Sequence, residues 1–391
     1  MNKLTDAVIV EVARTPVGKF RQALASYAPT TLAAMTMKKV IEKAGIDPEV
    51  IDDVIYANLF NYNYGNLARI ALLEAGLPVS VPGVTINRQC ASSLNAVALA
   101  ATMIMTGSAD IVIAGGVESY SKQPFMIKKT DTAYPMSLEI EPLKASSDVV
   151  GDPPMIITAE NLAKKYGITR EECDEFAVNS HKKAAAAWDR GFFNEEVFSI
   201  EIPQKKGNPI IFDRDECVRG DSSVEALGKL RPVMVKDGVV TAGNSSPMND
   251  GASAVLLMSR EKAEEYGLKP LARVTAFAAA GCDPNIMGIG PVHATRKLMQ
   301  RTGLTLNDFD FIELNEAFAS QSIACIKELG LDPNKVNPNG GAIAIGHPNA
   351  ASGGILTART VRHLEEANLK RALISFCIGG GQGFSCVLER D

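Results

Sequence analysis

The sequence predicts an α/β fold built from two similar halves with an inserted segment. Short apolar strands alternate with helical patterns toward both ends of the chain, which is typical of layered α/β proteins. When Gly115 is placed on Cys377, the C-terminal part repeats the same order of tight turn, buried helix, apolar strand and glycine-rich end. Between the two copies, residues 119–246 are richer in charged residues and proline and show little strand alternation.

The N-terminal elements follow from the spacing of apolar residues and from helix-ending signals. A helical pattern opens at Pro29 and stops at Gly45. The segment Ser92–Met105 is apolar on all sides, which indicates a buried helix. Strands are predicted at Ala7–Val12, Val54–Tyr56, Val84–Asn87 and Ile111–Ala114, the last one ending at Gly115-Gly116.

The internal repeat has a consequence for residues that are distant in the chain. Under the same shift Cys90 falls on Ser352, and Ile111–Ala114 falls on Leu373–Phe376. Two copies packed about a pseudo-twofold axis bring equivalent helix starts and strand ends together at the centre. We therefore expect Cys90 and Cys377 to meet there.

Composition and charge argue against several classes of function. The chain of 391 residues has a net charge of −5 and no basic tract, so we do not expect a nucleic-acid partner. No apolar run is long enough to span a membrane, and the short one near the N-terminus is not a secretory signal. The seven cysteines are scattered without a CxxC pair, which argues against a disulfide framework and a zinc site. We expect a cytoplasmic protein without a metal.

Cys90 is the strongest candidate for a nucleophile. It lies between a predicted strand and the buried helix that starts at Ser92. The positive end of a helix dipole should lower the pKa of a thiol there and increase the thiolate fraction. Taken alone, the segment is also compatible with a buried and unreactive cysteine.

Three further polar residues stand at the ends of predicted elements among small neighbours. His347 is held between a glycine and a proline, and such rigidity suits a histidine that activates a thiol or donates to an oxyanion. Cys377 precedes a glycine run whose N–H groups can bind an anion, and Asn315 follows an apolar strand at the predicted start of a helix. Alone, His347 and Asn315 could be a core histidine and a helix N-cap. Together with Cys90 the residues form an acyl-transfer set.

These motifs, in this order, resemble those of the thiolase family over nearly the whole chain. The four family motifs are Cys90-x-Ser92, Asn315-Glu316-Ala317-Phe318, Gly346-His347-Pro348 and Cys377-x-Gly379. Four supporting blocks match as well: Arg14-Thr15-Pro16, Ala114–Ser119, Thr158–Asn161 and Asn249–Ala252. The resemblance implies a thiolase-like fold, with two duplicated βαβ-rich halves in a layered αβαβα arrangement and an inserted loop domain.

The same resemblance places the boundaries of the units. The predicted units are an N-terminal half of residues 1–118 and 247–268, a loop domain of residues 119–246 that binds coenzyme A (CoA), and a C-terminal half of residues 269–391. Within the loop domain, Thr169 and Glu172 have the spacing of a helix capping box.

The resemblance implies a reaction that passes through an acyl-cysteine. Cys90 takes the acyl group, and His347 activates its thiol. Cys377 removes the α-proton of acetyl-CoA in synthesis, or protonates its carbanion in cleavage. His347 and a water held by Asn315 form one oxyanion hole, and the backbone N–H groups of Cys90 and Gly379 form the other. The implied enzyme catalyses reversible Claisen condensation and thiolytic cleavage of 3-ketoacyl-CoA with ping-pong kinetics; it has CoA thioesters as substrates and no permanently bound cofactor.

Substrate contacts and assembly are also implied by the resemblance. Arg219 and Ser246 match positions near CoA, whereas Met287 and Phe318 match positions near the acyl group. Arg219 alone could be a solvated surface charge. The family commonly forms homodimers or homotetramers, and we expect the same of this chain.

Four places depart from the family pattern. Ser93, Ala350 and Pro247 replace customary glycines. The stretch Pro153-Pro154-Met155-Ile156 replaces one that commonly contains a pocket histidine in the short-chain enzymes. We therefore expect a reshaped acyl pocket and a 3-ketoacyl preference that is not simply acetoacetyl.

Two other functions are compatible with parts of this pattern. A decarboxylating ketosynthase of the same fold uses two histidines around its cysteine, whereas this chain has Asn315 and Cys377 at the matching motifs. A non-catalytic acyl-CoA- or lipid-binding protein, or a scaffolding subunit, would not need the intact set of Cys90, His347 and Cys377. Trapping Cys90 as a thioester with an acyl-CoA separates an enzyme from such a binder.

Overall fold

The strands form one large mixed sheet and one small hairpin. The computed structural model describes residues 5–129 and 139–391, so residues 1–4 and 130–138 of the predicted units lie outside the described residues. The strands of the described part are β1 (Ala7–Arg14), β2 (Gly18–Lys19), β3 (Asp53–Ala57), β4 (Gly83–Ile86), β5 (Ile111–Ser119), β6 (Ile200–Ile202), β7 (Ile210–Phe212), β8 (Asn249–Ser259), β9 (Ala272–Gly281), β10 (Phe311–Leu314), β11 (Arg371–Ile378) and β12 (Gln382–Glu389).

Helices of very different lengths connect these strands. In the same part of the chain they are α1 (Pro29–Ala44), α2 (Leu67–Glu74), α3 (Ser92–Met105), α4 (Met155–Tyr166), α5 (Arg170–Asp189), α6 (Val224–Gly228), α7 (Arg260–Glu265), α8 (Gly290–Thr302), α9 (Ala319–Leu329), α10 (Ala342–Ile345) and α11 (Ser352–Glu366). Two predicted helix signals are confirmed: α1 ends at Gly45 in the left-handed conformation, and Thr169 and Glu172 form the capping box of α5.

The large sheet repeats one strand order in its two halves. From one edge the order is β4-β3-β5-β8-β1, and β1 then pairs briefly with β9, which is followed by β12-β11-β10. β3 and β5 pair in parallel, as do β10 and β11, and the return strands β8 and β12 run antiparallel to β5 and β11. Val336 pairs with Ile312 of β10 in parallel, at the place that β4 takes in the first half. This match confirms the predicted duplication.

Three apolar clusters fill the spaces between the layers of the molecule. Buried residues of α1 and α2 pack on the outer face of the first half-sheet, and those of α8 and α9 pack on the outer face of the second. The helices α3 and α11 lie between the half-sheets and contact both. The predicted αβαβα arrangement is confirmed.

The two central helices meet at their N-termini. The predicted bounds of the buried helix α3 are confirmed at both ends. Gly353, in the first turn of α11, lies so close to the backbone of Leu94 that a Cβ atom would collide with it. The Ser93 hydroxyl accepts a hydrogen bond of 2.9 Å from the Gly354 N–H. Ser93, one of the departures from the family pattern, therefore links the two helix starts.

Strand β5 continues beyond its predicted end. The glycine pair at Gly115 and Gly116 was expected to terminate it, but the strand runs on to Ser119. A Cβ atom at Gly115 would collide with the carbonyl oxygen of Ser253 in β8, and one at Gly116 would collide with that of Ala350. The glycines are required by close backbone neighbours rather than by a strand end.

Membrane and metal features were searched in the described ranges 5–129 and 139–391. Over these ranges the helices are too short or too polar to cross a bilayer. Over the same ranges, no three His, Cys, Asp or Glu side chains are grouped as metal ligands would be.

Candidate active site

Cys90 lies in a tight turn between β4 and α3. Gln89 has a φ of 48°, a left-handed conformation that non-glycine residues rarely adopt. The Ser92 hydroxyl accepts a hydrogen bond from the Arg88 N–H at 2.7 Å and donates one to the Gln89 carbonyl oxygen at 2.6 Å. These bonds hold the turn, which presents the half-buried Cys90 side chain beside the start of α3.

Two N–H donors approach the Cys90 sulfur. Asn349 Nδ2 donates to it at 3.5 Å, and the backbone N–H of Gly379 lowers its pKa as a hydrogen-bond donor does. Burial raises the pKa of the Cys90 thiol to about 11, although both donors act in the opposite direction. The predicted lowering of this pKa is therefore wrong for the free protein, because removal from water outweighs the donors and any helix dipole. The thiol needs a base to become a nucleophile.

The backbone at His347 is fixed by its neighbours. Gly346, which follows α10, has a φ of 106°. A Cβ atom there would lie 2.6 Å from Val17 Cγ1 and 2.7 Å from Asn249 Oδ1, so only glycine fits. The His347 N–H donates to the same Asn249 oxygen at 2.9 Å.

Each nitrogen of the His347 ring faces a hydrogen-bonding group. The Ser352 hydroxyl lies 3.1 Å from the Pro348 carbonyl oxygen and 2.6 Å from His347 Nδ1. We assign the hydroxyl proton to the Pro348 carbonyl, which never donates; in this assignment Nδ1 carries a proton and donates to Ser352, and Nε2 has the lone pair. Asn315 Nδ2 lies 3.4 Å from Nε2. Burial lowers the pKa of His347 to about 4, so the ring is neutral at physiological pH.

Cys377 lies near the end of β11 and is fully buried. Gly380 and Gly381, each with a φ of 81°, turn the chain back into β12. Burial raises the pKa of the Cys377 thiol well above its usual value, and the charge of Cys90 adds to this shift. Cys90 and Cys377 are therefore near enough for their charges to interact, although they are distant in the chain.

Asn315 follows β10 but does not start a helix. The expected helix start there is wrong, because α9 begins at Ala319 with Phe318 as its N-cap. The Asn315 N–H instead donates to the Ser375 carbonyl oxygen at 2.9 Å, which extends the pairing with β11. Its side-chain Oδ1 is buried and has no hydrogen-bond partner among the described residues. This oxygen can therefore accept a bond from a water or a substrate.

A surface cavity of about 300 Å³ contains one of the predicted CoA contacts. Arg219 lines it together with Ser245 and Pro247. His181 is a further part of the lining, and its Nδ1 accepts a hydrogen bond of 3.2 Å from the Arg219 N–H. Pro247, a departure from the family pattern, therefore forms part of this wall.

The remaining predicted substrate contacts lie near this cavity or near the buried cysteine. Ser246, whose two neighbours line the cavity, donates from both its N–H and its hydroxyl to the Ala317 carbonyl oxygen at 3.0 Å. Phe318 and Met287 belong to one apolar cluster with Cys377. Substrate contact of these residues stays a prediction.

Several residues that contact the site were not predicted as members of it. Asn349 and Tyr120 form a chain of contacts to the sulfur, and Asn249 and Ser352 hold His347. Asn249 stands in a matched block and Asn349 directly follows Gly346-His347-Pro348, which gave a signal. Tyr120 and Asn349 are separated by 229 positions, and no sequence pattern reveals their contact.

The fold and the site define a layered α/β enzyme that transfers acyl groups through a cysteine. Two family models match the chain: the thiolase N-terminal domain over residues 7–261 and the thiolase C-terminal domain over residues 268–390. The chain therefore belongs to the thiolase family. It is an acyltransferase for the thiolytic cleavage of 3-ketoacyl-CoA and the reverse condensation.

Curated relatives align over the full length of the chain. The acetyl-CoA acetyltransferase of Chromobacterium violaceum is 46% identical, and the alignment covers 98% of this chain and 100% of that protein. The beta-ketoadipyl-CoA thiolase of Pseudomonas putida is 44% identical, with 99% of this chain and 100% of that protein covered.

Solved structures of the family have the same fold. Human mitochondrial 3-ketoacyl-CoA thiolase superposes with a TM-score of 0.94 at 38% identity, and the match covers 100% of both chains. The same human enzyme in complex with CoA superposes with a TM-score of 0.92 at 38% identity, covering 100% of this chain and 99% of that one. The predicted thiolase-like fold is confirmed.

Proposed function

We propose that Cys90 accepts the acyl group, that His347 removes its thiol proton, and that Cys377 exchanges the proton of the acetyl-CoA carbon. The observation that carries this assignment is the 3.5 Å contact of the Cys90 sulfur with Asn349, two positions after the buried and neutral His347. The charge of Cys90 also raises the pKa of the Cys377 thiol. Because burial raises the pKa of the Cys90 thiol to about 11, a proton acceptor is needed at neutral pH.

In the cleavage direction the proton and electron pairs move as follows. His347 Nε2 takes the proton of the Cys90 thiol, and the sulfur attacks the 3-keto carbon. The bond between the α-carbon and this carbon breaks, and the carbanion of acetyl-CoA takes a proton from the Cys377 thiol. Acetyl-CoA leaves, and the thiol of an incoming CoA gives its proton to the Cys377 thiolate as its sulfur attacks the acyl-Cys90 thioester. The Cys90 sulfur leaves and takes the proton held by His347, so that a shorter acyl-CoA is released and both thiols and the neutral imidazole are restored.

Two oxyanion holes stabilise the charges of these steps. We assign one to the backbone N–H groups of Cys90 and Gly379, since both N–H groups lower the pKa of the Cys90 thiol and so favour negative charge at this place. We assign the other to His347 and a water held by Asn315. The unpartnered Oδ1 of Asn315 supports this second assignment, because a buried amide oxygen gains stability from such a water.

For CoA we propose a path that begins at the cavity lined by Arg219. Arg219 would contact the anionic end of CoA and Ser246 its middle part, whereas Met287 and Phe318 would contact the acyl end. The loop domain of residues 119–246 would supply the first of these contacts and the two thiolase halves the others. The match to the human thiolase in complex with CoA supports CoA as the ligand.

The acyl pocket is proposed to favour chains longer than acetoacetyl. Pro154 is the N-cap of α4, and Met155 and Ile156 pack against the apolar cluster that contains Cys377. An apolar wall of this kind stabilises additional methylene groups, at about 0.8 kcal/mol for each one buried.

Assembly and location are proposed from different features. We propose a homodimer or homotetramer, because β4 forms an edge of the large sheet and Val84 in it is 43% exposed. A cytoplasmic location is supported by the seven cysteines, all of which are free. Light scattering during gel filtration tests the assembly, and a monomer would contradict it.

CoA-dependent cleavage of acetoacetyl-CoA and of a medium-chain 3-ketoacyl-CoA tests the proposed function. We expect wild type and Cys173→Ala to cleave both, with the higher kcat/KM for the longer chain, and Cys90→Ser to cleave neither. Cys173 is a matched control because it is a buried cysteine of α5. A sharp optimum at acetoacetyl-CoA would contradict the proposed pocket. No cleavage and no acyl-Cys90 thioester would contradict the enzyme reading in favour of a CoA binder.

A further inference from the structure

A tyrosine and an asparagine form a chain of hydrogen bonds that ends at the Cys90 sulfur. Tyr120 directly follows β5 of the first half, at the start of the predicted loop domain, and Asn349 precedes α11 of the second half. The Tyr120 hydroxyl lies 3.2 Å from Asn349 Oδ1, and Asn349 Nδ2 lies 3.5 Å from Cys90 Sγ. Neither side chain has a part in the reaction described above.

The hydrogen bond from the phenol fixes which end of the amide faces the sulfur. Asn349 Oδ1 only accepts hydrogen bonds, so the Tyr120 hydroxyl must be the donor to it. Nδ2 is then directed at Cys90. The Tyr120 ring is itself held by Phe60, with ring centroids 4.7 Å apart. Burial, with Glu118 as the next contributor, raises the pKa of Tyr120 well above its usual value, so the phenol keeps its proton.

We propose that Asn349 is a further catalytic residue, whose side-chain N–H stabilises negative charge on the Cys90 sulfur, and that Tyr120 is the positioning residue that orients this amide. The inference rests on the proposed role of Cys90 as the acyl acceptor. It adds a side-chain donor for the sulfur, whereas the oxyanion holes serve oxygen atoms.

The benefit of this donor differs between the states of the reaction. Charge develops on the sulfur when His347 takes the thiol proton, and it develops again when the acyl-Cys90 thioester is broken. A thioester sulfur is a weak acceptor, whereas a thiolate is a strong one. The Asn349 N–H therefore stabilises both thiolate-like transition states more than the acyl-enzyme between them, and accelerates acylation and deacylation alike.

Alkylation of Cys90 by iodoacetamide tests the inference without any substrate. The rate at Cys90 is followed by peptide mass spectrometry at neutral pH, with the half-buried Cys282 in the same sample as an internal reference. We expect Asn349→Leu to slow Cys90 alkylation about 10-fold, since a hydrogen bond to a charged group is lost. Tyr120→Phe should slow it several-fold, whereas Tyr27→Phe, which removes a distant hydroxyl bonded to the Glu201 carbonyl oxygen, should not.

A double variant separates positioning from a general structural effect. If Tyr120 acts through the amide, Tyr120→Phe should have no further effect in the Asn349→Leu background. Additive effects would overturn the role of Tyr120. Equal Cys90 alkylation in wild type and Asn349→Leu would overturn the role of Asn349.

A charged variant and a parallel thiolysis assay complete the test. Asn349→Asp has the same size and still accepts from Tyr120, so it keeps the test open where the leucine variant does not fold. It should slow alkylation more than leucine does, because a carboxylate repels the thiolate, and an unchanged rate would overturn the proposal. Thiolysis by the wild type is assayed in parallel: its absence would contradict the proposed function, whereas the alkylation comparison concerns only the donor.

Discussion

His347 Nδ1 lies 2.6 Å from the hydroxyl oxygen of Ser352, the residue that the internal repeat aligns with Cys90. The equivalent helix N-termini of the two halves therefore have different roles. The start of α3 lies beside the proposed nucleophile, and the start of α11 orients the proposed base. Because α3 and α11 pack against each other, the two tasks are carried out at one centre.

Ser352→Ala should lower kcat/KM for thiolysis about 10-fold, the value of roughly one hydrogen bond. Without the hydroxyl, Nδ1 has no fixed partner, and the tautomer with a free Nε2 lone pair is no longer favoured. The control is Ser259→Ala, which removes a serine from the start of α7, where its hydroxyl accepts from the Lys262 N–H. Wild-type kcat/KM in a folded Ser352→Ala protein would contradict the orienting role.

Acylation of Cys90 by acetyl-CoA should not depend on pH through the usual range of histidine. Burial lowers the pKa of His347 from 6.5 to about 4. Above this pKa almost all of the imidazole is therefore neutral and able to accept the proton. The neutral fraction falls only as the pH drops through the pKa. Single-turnover acylation measured by intact mass between pH 5.5 and 7 checks this. A decline centred near pH 6.5 would show that His347 titrates as an exposed histidine.

Cys377→Ala should separate the two halves of the reaction. Acylation of Cys90 by acetyl-CoA does not need proton exchange at carbon, so the acyl-enzyme should still form. Thiolysis should fall by about 10²- to 10⁴-fold, which is typical for loss of a general acid or base. Cys386→Ala, which removes another buried thiol from the same pair of strands, is the matched control. Rapid thiolysis by Cys377→Ala would exclude the proposed role.

Gly346→Ala should destabilise the protein and inactivate it. A Cβ atom there would lie 2.6 Å from Val17 Cγ1, and the φ of 106° already disfavours other residues. Gly107→Ala is the matched control, since Gly107 has a φ of 71° but open space around it. We expect about 1–2 kcal/mol of destabilisation for the control in urea unfolding, and a larger loss for Gly346→Ala. Equal losses would show that the contacts before His347 can relax.

Arg219→Ala should raise KM for CoA about 10-fold and leave kcat almost unchanged, because a contact far from the reacting atoms contributes equally to ground and transition states. Arg301→Ala, at the exposed end of α8, is the control for loss of a surface charge. An unchanged KM would place CoA outside this cavity. A fall in kcat alone would link Arg219 to the chemistry.

Much of the scaffold could be predicted because it depends on local patterns. The bounds of α3 follow from its small apolar residues, and the duplication follows from a shift that keeps helices and strands in register. The end of β5 could not be predicted in this way. A glycine pair can end a strand or lie inside one where another backbone approaches closely, and only the positions of Ser253 and Ala350 decide between these alternatives.

The sequence predicted members for the proposed site but not its electrostatics. Motifs identified Cys90, His347 and Cys377, whereas the pKa of Cys90 depends on how deeply the folded chain buries it. A helix dipole is visible in the sequence, and the loss of water around a thiol is not. The contact of Tyr120 with Asn349 was missed for a related reason, since it arises only when the two halves pack together.

The meeting of the two halves has a consequence for how activity is distributed along the chain. The proposed acyl acceptor Cys90 belongs to the first half, whereas His347 and Cys377, which we propose to move the protons, belong to the second. If the polypeptide were cut between the two family-matched regions, one fragment would contain the nucleophile, and the other would contain the residues that accept and donate protons. The thiolysis rate of the mixed fragments would therefore be proportional to the number of reassembled molecules, because neither fragment would be active alone.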